Sequence, residues 1–149
     1  QALKNNQIDI IATDHAPHTY NEISAPYLTS PSGGPLVQHS LSALLTCFHQ
    51  KRITLEKIIE KACHNPSILF DIKHRGYIRE GFFADLVIID LKKYFHVKKS
   101  NILYKCGWSP FENTTFKGLV EKTFINGHLA YDKGNISNKS AARALTFDR

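Results

Sequence analysis

The 149-residue sequence contains no methionine, three cysteines and one tryptophan. A chain that opens on Gln1 and holds no Met reads as a segment from within a longer polypeptide. Cys47, Cys63 and Cys106 are odd in number and far apart. They form no C-x-x-C pair and no disulfide framework, which predicts a reducing compartment, the cytoplasm. No apolar run approaches the ~20 residues of a membrane span. Residues 1–6 lack the apolar core of a signal peptide, so the N-x-S/T sequons at Asn113, Asn135 and Asn138 are read as chance. Acidic residues are the minority, 13 against 19 Lys and Arg, for a formal net charge of +6. That excess is dispersed. The one dense stretch, residues 92–99, is interleaved with Tyr94, Phe95, His96 and Val97 and reads as a solvated strand or loop. A nucleic-acid arm needs a longer basic block on one face, so neither nucleic acid nor a membrane is expected as a partner.

With 42% hydrophobic and 21% charged residues, the chain has the composition of a folded domain. The β-branched run Ile8-Asp9-Ile10-Ile11-Ala12 predicts a buried strand, which delivers the polar turn Thr13-Asp14-His15-Ala16-Pro17-His18 at its C-terminal end. Residues 19–34 read as loop, with Pro26, Pro31, Ser32, Gly33 and Gly34. Pro35 is placed to open a helix whose core face is Val37, Leu41, Leu44, Leu45 and Phe48. Thr54 is a candidate N-cap for a second helix striped by Leu55, Ile58, Ile59 and Ala62. His64-Asn65-Pro66-Ser67 is expected to break that helix, with Asn65 capping and Pro66 starting a short third one through Phe70. Beyond Asp71 the pattern turns to β. It shows a short strand at Tyr77-Ile78, a strand over residues 85–90, and two strands, 118–125 and 128–131, around an Asn126-Gly127 type I′ signal. The boundary falls near Ile72, dividing residues 1–71 from 72–149. Residues 137–149 read as a tail that docks through Leu145 and Phe147.

Asp14, His15 and His18 crowd one strand end. A carboxylate with two imidazoles can serve as metal ligand, general base or anion clamp, although an Asp in such a turn can equally cap backbone N–H groups. Position favours chemistry, because catalytic groups in α/β barrels sit at C-terminal strand ends. Pro31-Ser32-Gly33-Gly34 before a helix is an anion-friendly backbone feature of low specificity. His39, His49, His64, His74, His96 and His128 are scattered and read as surface or packing residues, as do Trp108 and Phe111.

Ala12-Thr13-Asp14-His15-Ala16-Pro17-His18 closely resembles the strand-eight motif of dihydroorotases in the amidohydrolase superfamily. Ser30-Pro31-Ser32-Gly33-Gly34-Pro35 resembles that family's substrate loop. His64-Asn65-Pro66-Ser67-Ile68-Leu69-Phe70 resembles its helix start, with Ser67 in place of the usual Ala. The segment from Gly76 to Val87 is similar to the G-x-I-x-x-G-x-x-A-D-L-V stretch of many amidohydrolases, and Trp108-Ser109-Pro110-Phe111 and the Asn126-Gly127 hairpin also match. Allantoinases and hydantoinases have related turns but usually lack the second His.

The resemblance implies an α/β fold: the C-terminal part of a (β/α)8 TIM-type barrel over residues 1–71, followed by strands of a flanking β-subdomain over 72–149. A whole barrel needs roughly 250 residues, so this chain is expected to be the C-terminal third of the enzyme and inactive when isolated. The implied reaction is the reversible hydrolysis of dihydroorotate to N-carbamoyl-aspartate in pyrimidine biosynthesis, with that small molecule as partner. Self-association into a homo-oligomer is left open. The implied cofactor is zinc, one or two ions held mainly by residues outside this chain, which polarises the amide carbonyl and acidifies water. Asp14 is the implied metal ligand and the base that later returns its proton as an acid. His18, Ser32 and Gly33 are the implied substrate contacts, and His15 supports the turn. The alternatives are a hydantoinase- or allantoinase-type cyclic amidohydrolase, or a non-catalytic dihydroorotase-like structural subunit.

Overall fold

A computed structural model describes residues 1–148. Four α-helices precede a four-stranded antiparallel sheet: Tyr20–Ile23 (α1), Ser40–His49 (α2), Leu55–Ile59 (α3), Asn65–Leu69 (α4), Leu86–His96 (β1), Thr115–Ile125 (β2), His128–Asp132 (β3) and Asn135–Ile136 (β4). The strands follow chain order, β1-β2-β3-β4. Among the described residues no helix is long and apolar enough to cross a membrane.

Residues 8–12 are extended, but they form no ladder. A strand exists through its neighbours' hydrogen bonds, and no parallel partner lies alongside this segment among the described residues. Two other bonds hold it instead. The Ile11 N–H donates to the Lys61 carbonyl at 2.9 Å, and the Asn65 side-chain amide donates to the Asp9 carbonyl at 2.7 Å. The helical chain does not break at residues 64–67. Instead α3 runs through a π turn, Glu60–His64, directly into α4. Pro66 has no N–H to give, and the Asn65 N–H reaches back to Glu60. The Lys61 carbonyl is thereby left without a helical donor and takes the Ile11 N–H. Asn65 is therefore a tether for the extended segment and not a cap. Ser67, where the family usually has Ala, satisfies its buried hydroxyl by donating to the His64 carbonyl at 2.8 Å.

Three other expectations change. The stretch read as loop contains α1, capped by Thr19, whose side chain accepts the Glu22 N–H at 3.4 Å while Glu22 reaches back to the Thr19 N–H at 2.6 Å. The Thr19 hydroxyl, donating to the Glu22 carboxylate at 2.7 Å, and then the Thr19 N–H hold that carboxyl below its ordinary range. Residues 77–78 form no strand; Tyr77 stacks on His64 with ring centroids 4.1 Å apart. Finally, β1 runs past Asp90 to His96, because a bulge interrupts its pairing between Asp90 and Tyr94. There the Asp90 carboxylate accepts the Lys92 N–H at 2.8 Å, and Lys92, Lys93, Lys98 and Lys99 stay exposed.

Other expectations agree with the structure. Thr54 caps α3 by accepting the Lys57 N–H at 3.2 Å, a contact worth about 1 kcal/mol. Asn126 and Gly127 both have positive φ, as a type I′ turn between β2 and β3 requires. That turn is gripped from outside: the Asp85 carboxylate accepts the Asn126 N–H at 2.7 Å, and Arg75 pairs with Asp85 and donates to the Asn126 side-chain oxygen Oδ1 at 2.9 Å. The tail docks on residues 71–73, with Phe147 bridging Ile72 and the Lys73 N–H donating to Thr146 at 2.9 Å.

The core lies where α2 packs on β2. Leu45, Ile53, Ile58, Val97 and Phe116 are buried. The Thr46 hydroxyl accepts the Lys117 N–H at 2.9 Å. Beside it Gly118, at φ +104°, lies so near Leu45 that an added Cβ would sit 2.8 Å from the Leu45 Cβ. His39 is fully buried among Phe95, Tyr104, Phe111 and Phe116. Its Nδ1 meets the Ser109 hydroxyl at 3.1 Å, and its Nε2 has no partner. Burial pushes the His39 pKa down, so the ring is kept neutral.

Two predictions follow from this packing. Gly118→Ala combines a left-handed backbone with a buried clash, and should cost about 2–4 kcal/mol of stability, read as a lowered melting temperature. For His39 the direction is set by linkage: the unfolded chain takes up the imidazole proton near pH 6.5 while the folded one resists. Stability should fall as pH drops from about 6.5 toward the lower folded value. His39→Gln should flatten that acid-side loss in thermal melts between pH 7 and 5; parallel curves for the two proteins would show that His39 carries charge in the fold.

Candidate functional site

Asp14 sits at the end of the extended segment with φ +44°. This left-handed conformation is uncommon outside glycine, Asn and Asp, and turns the chain sharply into His15. The Asp14 side chain is exposed and engages no hydrogen bond or ion pair among the described residues. His15 faces the other way. Its Nδ1 accepts the N–H groups of Leu36 at 3.1 Å and Val37 at 3.4 Å. The ring therefore carries its proton on Nε2, and it packs against Tyr104 with centroids 5.2 Å apart. The role read for His15 in the sequence, support of the turn, thus has a structural basis.

The glycine loop closes over this turn. Gly34 bridges His15, and its carbonyl accepts the Ala16 N–H at 3.1 Å. Gly33 has φ +101°, and a Cβ there would lie 2.6 Å from the Ala16 Cβ. Only glycine satisfies both the backbone and the space. Gly33 and the Asp14–His18 turn are therefore brought together, and Ser32 is the next residue along the loop. Ser32 and Gly33 are exposed, and Ser32 makes no side-chain hydrogen bond among the described residues.

The anion-friendly helix start is different. Pro35 is followed by a single 3-10 turn, Val37–His39, before α2. The Leu36 and Val37 N–H groups go to His15, and the Gln38 N–H goes to the Tyr104 hydroxyl at 2.8 Å. An anion would find these donors already used. The helix start is a clamp on the turn, not an anion site.

His18 is half-buried and both its main-chain polar groups are bound. Its N–H donates to the Ala16 carbonyl at 3.0 Å, and its carbonyl accepts the Trp108 indole N–H at 2.8 Å. Among the described residues the His18 imidazole makes no hydrogen bond, and the Glu22 carboxylate is near enough to feel its charge. Trp108, read from the sequence as a packing residue, and Tyr104, which the sequence reading did not single out, thus hold the candidate site. Nothing local in the sequence marks them, since each acts across more than 60 residues. Among the described residues no three His, Cys, Asp or Glu side chains group as a metal site. Asp14 by itself fits as one donor, being a carboxylate with no internal partner.

Residues 1–130 match the amidohydrolase family. The chain belongs to that family. Among its amidohydrolase relatives are the dihydroorotase of Methanosphaera stadtmanae, 35% identical over 83% of this chain and 29% of that protein, and the dihydroorotase of Pyrococcus horikoshii, 35% identical over 89% of this chain and 30% of that protein. The multifunctional protein pyr1-3 of Dictyostelium discoideum is 34% identical over 87% of the chain, which is 5% of its own length. The chain thus spans about a third of the curated dihydroorotases it matches. Among solved structures, an L-hydantoinase (dihydropyrimidinase) from Arthrobacter aurescens superposes with a TM-score of 0.84 at 26% identity, covering 94% of this chain and 32% of that one. A D-hydantoinase (dihydropyrimidinase) from Thermus sp. gives 0.86 at 21% identity, with the same coverage. This amidohydrolase segment is therefore a mixed unit of helices and an antiparallel sheet that corresponds to about one third of such enzymes.

The glycine loop yields a test. Gly33→Ala should push the loop off Ala16 and cut the activity of the complete amidohydrolase by about tenfold or more, because misplacement of this order is costly to reacting geometry. Bound metal should be unchanged, since Gly33 offers no ligand; steady-state rates and metal analysis on one preparation check both halves.

Proposed function

We propose that this chain is the C-terminal part of a (β/α)8-barrel amidohydrolase that interconverts dihydroorotate and N-carbamoyl-aspartate. The observation that carries the reading is the arrangement of the Asp14–His18 turn. Its scaffolding residues are engaged, whereas among the described residues neither the Asp14 carboxylate nor the His18 imidazole makes a hydrogen bond. The similarity to dihydroorotases over most of the chain supports the substrate. His18 supports it further, being the residue that the motif attaches to dihydroorotases rather than to hydantoinases. Cyclic-amide hydrolysis of the hydantoinase kind stays the second reading, favoured by the backbone likeness.

In this reading Asp14 is one ligand of a zinc site whose other donors lie outside the chain, and the metal supplies Lewis acidity toward the amide carbonyl. The chain's own residues do the rest. Asp14 takes the proton from the attacking water and returns it to the ring nitrogen as the C–N bond breaks, so one carboxylate serves first as base and then as acid. His18 donates to the substrate's carboxylate or ring carbonyl. Gly33 lets the ring approach the main chain, with Ser32 beside it. His15 keeps the turn closed by holding the Leu36 and Val37 N–H groups.

Steady-state kinetics of three variants in both directions, with zinc measured on each, test these roles. Asp14→Ala should lower activity by at least about 10²-fold, the lower end of general acid–base contributions. His18→Ala should raise KM, because its contact is made in the ground state as well as the transition state. His15→Ala should do less than either. Near-normal turnover of Asp14→Ala on dihydroorotate would sink the reading.

A further inference from the structure

The structure carries a second layer of organisation around His18. The connection between β1 and β2, residues 97–114, reaches back across the molecule and places Trp108 on the turn. The indole Nε1–H donates to the His18 carbonyl at 2.8 Å. The same ring lies against the glycine loop, with its Cη2 3.9 Å from where a Gly34 Cβ would be. Its other neighbour is Tyr20 at the start of α1, edge-on at 6.5 Å. One side chain thus touches the turn, the loop and the helix that follows the turn.

The perch of Trp108 is itself fixed. The next residue, Ser109, is buried, meets His39 Nδ1 at 3.1 Å and accepts the Phe111 N–H at 3.2 Å. Phe111 packs edge-on against Phe116 of β2 at 5.2 Å. On the other side, the Cys106 thiol lies 3.8 Å from the Trp108 carbonyl. The indole N–H is therefore presented from the core of the α2–β2 unit.

We propose that Trp108 is a positioning residue for substrate binding, fixing the peptide that carries His18 so that its imidazole is held ready for the substrate. This rests on the reading that His18 contacts substrate. The physical reason is preorganisation. With its N–H on Ala16 and its carbonyl on Trp108, the His18 main chain cannot rotate, and only the side-chain torsions remain to be ordered on binding. Without the indole N–H, the 18–19 peptide can turn and the imidazole samples directions that miss the substrate.

The test is a double-mutant cycle in the complete polypeptide: wild type, Trp108→Phe, His18→Ala and the double variant, with kcat and KM for each. Trp108→Phe keeps an aromatic ring and removes the donor. It should raise KM by about fivefold, the equivalent of one neutral hydrogen bond, with kcat within about twofold. In the His18→Ala background the same change should move KM by less than about twofold, since Trp108 then has nothing to position. A residue that served only packing would raise KM equally in both backgrounds, and that result, or an unchanged KM in the single variant, overturns the proposal. Should Trp108→Phe fail to fold, the benzothiophene isostere of tryptophan installed at position 108 replaces only N–H by sulfur and carries the same comparison. If the wild type hydrolyses a hydantoin and not dihydroorotate, the proposed substrate is wrong, and the cycle run on that hydantoin still decides the role of Trp108.

Discussion

One main-chain hydrogen bond, from the Ile11 N–H to the Lys61 carbonyl, sets the position of everything that follows in the site. An extended segment without strand neighbours leaves its polar groups unmet, so whatever partners it finds define its path. Here the partner exists because the helix behind it is imperfect. Pro66 lacks a donor, Asn65 bonds one residue further back than an α-helix would, and the Lys61 carbonyl is released. Asn65 then adds its side-chain amide to the Asp9 carbonyl. Asp14 lies three residues beyond Ile11, and its place in space is inherited from a defect in the helix turn at 60–64.

The rest of the site is assembled by the same logic of satisfied backbone groups. Three successive N–H groups at the helix start are met by side chains from distant segments, two by His15 and one by Tyr104. The His18 carbonyl is met by Trp108. Each of these contacts ties the turn to something else: His15 to the glycine loop, Tyr104 and Trp108 to the connection between β1 and β2. The side chains that the proposed function makes reactive, the Asp14 carboxylate and the His18 imidazole, take no part in this hydrogen-bond network among the described residues. A division between engaged scaffold and unengaged reactive groups is what a preorganised site requires, because a catalytic group already bonded internally must break that bond before it can act.

What could be read from the sequence follows the range of the interaction. The Asn126-Gly127 turn, the Thr54 cap and the candidate turn at Asp14 were legible, because each is decided within a few residues. The Thr19 to Glu22 capping box was equally local, but the surrounding Pro, Gly and Ser suggested loop and hid α1. The length of β1 was not legible, since Lys92 and Lys93 break its alternation and only the Asp90 bulge lets the strand resume at Tyr94. Least legible were Tyr104, Trp108 and His39. Their roles depend on partners more than 60 residues away, and no periodicity or spacing carries that information.

The two sets of relatives bear on different links of this chain of cause. Backbone likeness to hydantoinases at 21–26% identity reports how the α2–β2 unit and the turn are held. Identity of 35% to dihydroorotases reports more of the side chains. Substrate choice among cyclic amides that share one backbone must lie in the side chains that reach the ring, because the fold is common to both. Under the proposed function, the groups at the turn that would make such a choice are the His18 imidazole and the exposed Ser32. A dihydroorotate ring carries a carboxylate, and an imidazole that donates to an anion gains more from it than from an uncharged hydantoin. In the proposed reading the turn favours an anionic substrate, and it does so through a residue whose main chain is pinned from the far side of the molecule.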